Sequence, residues 1–376
     1  ALGWIELSLV GALPFTLSGE IPFYLDAVFE MISGFTTTGS SILPNVEALS
    51  RCMLLWRSFS HWLGGMGILV FMLAIVKMEG GQGIHLLRAE SPGPTVGKMV
   101  PRMVDSSKIL YTIYFALTLV QVVFYLAGGM PLFDSLCNAF ATAGTGGFSI
   151  KADSFASYSP YLQTVTTVFM ALFGVNFSIY FFLLQKKFDL AFKNTELRWY
   201  VGIILFSIAM ITANILPMYP DFHAAIHHAA FSVSSVITTT GFGTENFDLW
   251  PEFSRVILVF LMIVGASAGS TGGGLKVTTF AVLILTIRSV AQGRDDCVIG
   301  GHHIESKTVY RALTIIVLGA VAAFGSAVVV YYNTAETVSV IDCIFESCSA
   351  FGTVGLSVGV TGQLNTGAKL LYMACM

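Results

Sequence analysis

Residues 27–41 read AVFEMISGFTTTGSS, and the pattern returns as SLCNAFATAGTGGFS at 135–149, AAFSVSSVITTTGFG at 229–243 and CIFESCSAFGTVGLS at 343–357. Each stretch runs from apolar residues through small and hydroxyl-bearing ones to a glycine. Taking the glycine after the Thr or Val, the marks are Gly39, Gly146, Gly241 and Gly355, separated by 107, 95 and 114 residues. Self-similarity at such a period signals a repeated structural unit. Each stretch is too short to cross a bilayer, which takes about 20 helical residues. Longer apolar stretches at 52–76, 109–126, 161–184, 200–216, 256–290 and 309–331 are long enough. Every period therefore holds helix, half-helix, helix. The units are placed at 1–77, 78–185, 186–291 and 292–376, with the outermost helices cut by the chain ends. The chain opens at Ala1 and closes at Met376 inside apolar stretches, and it reads as part of a longer protein in which a signal peptide is neither called nor excluded.

Composition agrees with a membrane setting. Of 376 residues, 55% are hydrophobic and 11% charged, with a mean hydropathy of +0.77, whereas soluble domains carry roughly a quarter charged residues. A net charge of -3 offers no basic surface for nucleic acid. Six cysteines without a C-x-x-C pair read as small packing residues rather than a disulfide or zinc framework.

Charge placement sets the topology. The connectors between units hold Lys77, Arg88, Lys98, Arg102 and Lys108, then Lys186, Lys187, Lys193 and Arg198, then Arg288, Arg294, Lys307 and Arg311, which is 13 of the 19 basic residues. By the positive-inside rule these connectors face the cytoplasm. Flanking the half-helices are instead Glu20, Asp26, Glu47, Asp134, Asp153, Asp221, Glu245, Asp248, Glu252, Glu336 and Asp342. All four half-helices then enter from outside, which makes the repeats parallel and not the inverted pairs of many transporters.

Non-helical backbone survives at membrane depth only where protein buries it or where it lines a watery cavity. Four such segments from four parallel units converge naturally on one pseudo-fourfold axis. Each half-helix points the negative end of its dipole inward, worth a few tenths to about 1 kcal/mol for a nearby cation. Beyond the helix ends the chain is expected to run extended through Thr37, Thr38 and Gly39; Gly144, Thr145 and Gly146; Thr239, Thr240 and Gly241; and Thr353, Val354 and Gly355. Glycine permits the positive φ that turns carbonyls toward the axis, and a ring of carbonyls can replace the water shell of an alkali cation. The expectation is an all-α polytopic membrane protein, four parallel helix, pore-helix, helix repeats around a pseudo-fourfold cation pore.

The stretches FEMISGFTTTGSSI, WRSFSHWLGGMGILVF, GIHLLRAESPGP, ITTTGFGTENFDLWP and GASAGSTGGGLKV together resemble the Trk/Ktr/HKT superfamily of potassium transporters, specifically bacterial TrkH/KtrB-type membrane subunits. The resemblance covers nearly the whole chain. It implies potassium uptake through a filter with one key glycine per repeat, a homodimer in the bacterial inner membrane with its filter mouth outside, and regulation by a cytoplasmic nucleotide-binding ring. It also marks Gly39 as the potassium-type choice, a Ser there being associated with sodium preference in plant relatives. It further implies potassium as the transported ion and no covalent cofactor. The fourth strand departs mildly with Val354, which ligation by backbone tolerates; one short strand per repeat predicts fewer stacked sites and weaker discrimination against sodium than a full potassium channel. In the family a basic residue in the last helix lies below the filter; the sequence given stops at Met376, before that place is reached.

The stretch 256–290 is interrupted by GASAGSTGGGLK. Each interior glycine costs a helix about 1 kcal/mol relative to alanine, so the helix is expected to break there. A loop of Gly265, Ser267, Gly269, Ser270, Thr271, Gly272, Gly273, Gly274 and Lys276 beneath the third filter strand is placed to gate the pore, a reading the resemblance supports; a passive kink is the plainer alternative. Lys276 is a candidate electrostatic barrier or a link to acidic groups. A phosphate loop is rejected, because Val277 stands where G-x-x-x-x-G-K-[ST] needs a hydroxyl.

Glu30 and Glu346 occupy matching places in the first and fourth half-helices, with Asn138 similarly placed in the second; bonding to the neighbouring filter backbone is the favoured role. Arg57 and Asn176 lie within spanning stretches and are expected to bond across the bundle. His223, His227 and His228 have a spacing zinc can use, but lack a convincing acidic ligand and read as a polar helix start. Two transport alternatives stay open: the potassium-binding subunit of an ATP-driven pump, and a sodium- or proton-coupled symporter. An intramembrane enzyme is disfavoured for want of an acid/base or nucleophile set.

Overall fold

The computed structural model describes residues 2–67, 103–293, 297–299, 302–304, 306–333 and 338–376. The GIHLLRAESPGP stretch, Lys77, Arg88, Lys98, Arg102, Arg294, Glu336, the end of the 52–76 span and the 77/78 boundary lie outside the described residues.

Four short helices organise the bundle. They are α2 (Tyr24–Phe35), α5 (Leu132–Ala143), α10 (Phe222–Ile237) and α14 (Val340–Phe351). Each starts with an aspartate in its first turn or cap, Asp26, Asp134, Asp221 and Asp342, where a negative charge suits the positive end of the helix dipole.

The helices before them are α1 (Leu2–Leu17), α4 (Met103–Ala127), α9 (Thr195–Ile215) and α13 (Ser306–Asn333). Those after them are α3 (Arg51–Gly65), α6 (Pro160–Phe173), α11 (Glu252–Val264) and α15 (Thr366–Cys375). Side-chain caps start three of the latter: Ser50 accepts from the Met53 N–H, Ser159 from Leu162 and Asn365 from Ala368.

Contacts run in a cycle. Each short helix packs on the helix before it, the helix after it, and the outgoing helix of the preceding unit: α2 touches α15, α5 touches α3, α10 touches α6 and α14 touches α11. The first unit thus closes on the last. Lys369 of α15 meets Asp26 of α2 at 2.7 Å across that seam.

Among the described residues three helical stretches are long and apolar enough to cross a membrane: Lys108–Ala127, Thr195–Met218 and Ser306–Asn333. The 161–184 stretch is not the straight span expected from sequence. It breaks into α6 and α7 (Phe177–Leu184), bent by 89°. Gly174 ends α6 with no room for a side chain against the Tyr200 hydroxyl, and Asn176 caps α7 by accepting from the Ser178 N–H at 2.9 Å. A short helix α8 (Phe188–Phe192) then leads into α9.

The 256–290 stretch also leaves the helix, at Gly265, and re-enters it as α12 (Val277–Ala291). One non-helical feature adds to the all-α expectation: β1 (Cys297–Ile299) pairs antiparallel with β2 (His302–Ile304) between α12 and α13.

Candidate functional site

The C-terminal ends of the four short helices share one backbone design. Thr36, Gly144, Thr238 and Gly352 are the C-caps, all with right-handed φ and ψ. Next come Thr37, Thr145, Thr239 and Thr353 at φ of 57°, 54°, 59° and 55°. The N–H after each threonine returns to the helix: Thr38 to Ser33 O at 2.9 Å, Gly146 to Ala141 at 2.9 Å, Thr240 to Ser235 at 2.8 Å and Val354 to Ser349 at 2.8 Å. This is a Schellman closure, whose left-handed residue is usually glycine. A β-branched residue there carries strain of roughly 1–3 kcal/mol, and it recurs four times. The surrounding bonds hold it. Thr145 and Thr239 each donate their hydroxyls to the preceding carbonyl at 2.6 Å.

After the threonines the four segments meet. A Cβ on Gly39 would be driven into the Gly146 carbonyl, one on Gly147 into Thr240 O, one on Gly241 into Val354 O, and one on Gly355 into Thr38 O. The contacts therefore run 39 to 146, 147 to 240, 241 to 354, and 355 back to 38. Four carbonyls at one shared position, those of Thr38, Gly146, Thr240 and Val354, stand in a closed ring.

This corrects the sequence reading of the second strand. Gly144, Thr145 and Gly146 do not match the other triplets; Thr145, Gly146 and Gly147 do. Gly147 has the positive φ of 75° that Gly39, Gly241 and Gly355 share at 80°, 79° and 80°. Gly147 is also half-buried like those three, whereas Gly146 is buried. Gly144 is the helix cap, where a Cβ would strike the His61 backbone, and Gly146 yields its space to the His61 imidazole. Both ring nitrogens of that buried imidazole lack a hydrogen-bond partner among the described residues.

Two carboxylates brace the strands from behind. Glu30 accepts from the Ser41 hydroxyl at 2.9 Å, the Ile42 N–H at 3.2 Å and Arg57. Glu346 accepts from Ser357 at 2.6 Å, Val358 N–H at 3.0 Å, Thr361 N–H at 2.9 Å and the Thr361 hydroxyl. The same offsets along the chain serve both. Arg57 also reaches the Ser149 carbonyl at 3.3 Å. Asn138 differs: its amide turns to Tyr158 at 3.3 Å and Met130, not to the strand.

The glycine-rich loop lies against the third and fourth helix ends. The Gly273 N–H donates to Thr239 Oγ1 at 2.6 Å, and a Cβ on Gly273 would meet the Thr353 hydroxyl. Gly272 faces the Thr238 carbonyl, while Lys276, at φ 77°, donates its ammonium to Gly272 O. On its other side the loop fills the bend between α6 and α7: Ser267 N–H donates to Gly174 O at 3.2 Å and Phe177 N–H to Gly269 O at 2.9 Å. The Ser270 hydroxyl bonds Ser267 O and that of Thr271 bonds Phe173 O. Gly265 and Gly274 touch one another at the loop's base.

Sequence reasoning missed Glu196. Its carboxylate accepts from the Ala268 N–H at 2.5 Å and from Asn176 Nδ2 at 3.1 Å. Of the histidines at the start of α10, His227 bonds Gln163 at 2.8 Å and His228 bonds Thr244 at 3.1 Å. No His, Cys, Asp or Glu group able to hold a metal ion occurs among the described residues.

A family model described as TrkH, cation transport protein, matches residues 2–376. The chain belongs to the TrkH family. Its TrkH-family relatives include the Trk system potassium uptake protein TrkH of Salmonella typhimurium, 36% identical over 288 residues that make up 75% of this chain and 60% of the relative. An uncharacterized cation transporter of Methanocaldococcus jannaschii is 31% identical over 372 residues, 96% of this chain and 74% of that one. The crystal structure of the potassium transporter TrkH from Vibrio parahaemolyticus aligns with a TM-score of 0.85 at 27% identity, covering all of this chain and 80% of that one. The TrkH-type chain spans about 60% of the length of the first of these relatives. With this membership and its apolar helices it is a polytopic, all-α membrane protein.

Proposed function

We propose that the chain conducts potassium across the bacterial cytoplasmic membrane through the ring formed by Thr37, Thr38 and Gly39; Thr145, Gly146 and Gly147; Thr239, Thr240 and Gly241; and Thr353, Val354 and Gly355. The observation that carries the reading is the cyclic contact of four glycines with four carbonyls. Carbonyls at one level in a closed ring can substitute for the hydration shell of a monovalent cation. The dipoles of α2, α5, α10 and α14 end at this ring and favour positive charge there. The Salmonella typhimurium and Vibrio parahaemolyticus relatives are named for potassium uptake or transport, which supports potassium as the cargo.

The 265–276 loop is the gate in this proposal. It sits under the third and fourth strands and is held by hydrogen bonds that a shift of the chain can exchange. The basic residues of the connectors support a filter mouth that faces outside. A homodimer embedded in lipid and a cytoplasmic nucleotide-binding ring docked on those connectors complete the proposal. The chemistry is ion passage and not a covalent reaction, with potassium as the transported ion.

The test is rubidium tracer uptake into sealed vesicles holding the purified full-length protein, under potassium, rubidium or sodium gradients. Uptake driven by a potassium gradient and weakened in a Gly241→Ser variant supports the reading. Equal uptake with and without protein removes it.

A further inference from the structure

Glu196 is a carboxylate set where the chain enters α9 from the cytoplasmic connector, and its bonds do not serve α9. One oxygen takes the Ala268 N–H at 2.5 Å, the other takes the Asn176 amide at 3.1 Å. Ala268 belongs to the glycine-rich loop. Asn176 forms the bend between α6 and α7, and a Cβ on Gly269 would lie 3.2 Å from its Oδ1. The same carboxylate also interacts electrostatically with Lys276 at the far end of the loop. A single group therefore joins three chain segments: the connector helix, the broken span and the loop.

The geometry is that of a catch. The loop is rich in glycine and so carries a large entropy when released. The 267–271 portion donates to Gly174 O, Phe173 O and Glu196, and its Gly269 carbonyl accepts from the Phe177 N–H. Of these only Glu196 is a charged acceptor, and hydrogen bonds to ionised groups are about twice as strong as neutral ones. It also lies two residues from Asn194, the N-cap of α9, whose side chain accepts from Leu197 N–H. Any displacement of the connector that rotates the start of α9 moves this acceptor directly.

Resting on the gate reading above, we propose that Glu196 is a positioning residue that holds the loop closed, and that it passes movement of the cytoplasmic connector to the gate. Loss of the carboxylate frees the Ala268 end of the loop while leaving the carbonyl ring untouched. The gate then opens more often, and each opening passes the same current with the same ion preference.

Single-channel recording of the full-length protein in lipid bilayers tests this. Glu196→Ala is expected to raise open probability about tenfold with unitary conductance and reversal potential unchanged. Glu196→Asp is expected to restore part of the closure, and Glu196→Gln, which keeps an acceptor but drops the charge, to fall between. Asn176→Ala is expected to act in the same direction as Glu196→Ala. A deletion within 269–274 serves as the control for the gate itself. If the deletion raises open probability and none of the Glu196 variants does, the catch is overturned while the gate stands. If the deletion also fails, the gate reading fails, and the proposal with it. A Glu196→Ala that lowers the number of channels without changing open probability likewise overturns the catch, since that is the signature of a folding role.

Discussion

The guanidinium of Arg57 approaches the carboxylate of Glu30 to 2.6 Å, with both side chains sealed from solvent. Arg57 also covers the Phe148 ring at 3.9 Å, next to the second strand of the carbonyl ring. One ion pair thus braces strand one through Glu30 and strand two through Ser149 and Phe148. Breaking a buried pair by removing one partner leaves an uncompensated charge, at roughly 3–5 kcal/mol. Arg57→Met is expected to lower thermal stability by that order, measured by unfolding in detergent. The double variant Glu30→Met with Arg57→Met is expected to recover much of the stability but not the ion preference. Equal stability of the single variant and the parent contradicts this.

Glu346 makes the contrasting case, because its bonds come from neutral donors. All four groups pointing at it are N–H or O–H. A glutamine amide would oppose at least one donor with another. Glu346→Gln is therefore expected to loosen the chain after strand four and to reduce discrimination of potassium over sodium severalfold, read from the shift in reversal potential. An unaltered reversal potential argues that the brace is not felt at the ring.

Substitution at the second strand separates the two registers. Gly147→Ser forces a side chain at positive φ into the Thr240 carbonyl, and is expected to cut potassium flux about tenfold or more in a protein that still folds. Gly144→Ala drives a methyl into the His61 backbone and is expected to reduce yield of folded protein instead. The reverse pattern restores Gly144, Thr145 and Gly146 as the filter triplet.

Shortening the loop by removing Ser270, Thr271 and Gly272 deletes the bonds to Phe173 and the contact below Thr238. Tracer flux is expected to rise several-fold. Flux at the parent level would make the loop a passive kink.

Outside the spanning segments, Asp248 has its pKa raised, chiefly by burial and further by Asp342, with Arg255 opposing. A carboxyl raised above its unfolded value binds its proton more tightly when folded, so stability increases as pH falls from neutral toward the ordinary carboxylate range. Asp248→Asn is expected to flatten that part of the stability curve. Since the group is partly exposed and its partner Arg255 lies 3.5 Å away, the change is small and is best read as a difference in midpoint between two pH values.

Much of this architecture was legible because four stretches repeat with a helical apolar character and a terminal glycine. What escaped has physical causes. Gly144, Gly146 and Gly147 surround Thr145, so the sequence offers several equally good glycines; only the packing of His61 and the sign of φ choose among them. The bend at Gly174 was hidden because Val175 and its neighbours keep the stretch apolar, and the decisive contact, Tyr200, comes from another helix. Glu196 looked like an ordinary acidic first turn, since its partners Ala268 and Asn176 are distant in the chain. Glu30 and Glu346 were readable as braces from their matching places, but the arginine on one of them was not.

Because all four quadrants of the ring belong to one polypeptide, each is free to change without its counterparts changing too. Among the described residues, the third quadrant alone carries a glycine-rich insertion, at 265–276, and the first alone carries an arginine brace, Arg57. An assembly of four identical chains would have to place four such insertions on the same axis, where they would collide. On the proposed reading, covalent fusion of the quadrants lets one off-centre plug serve the entire conduit.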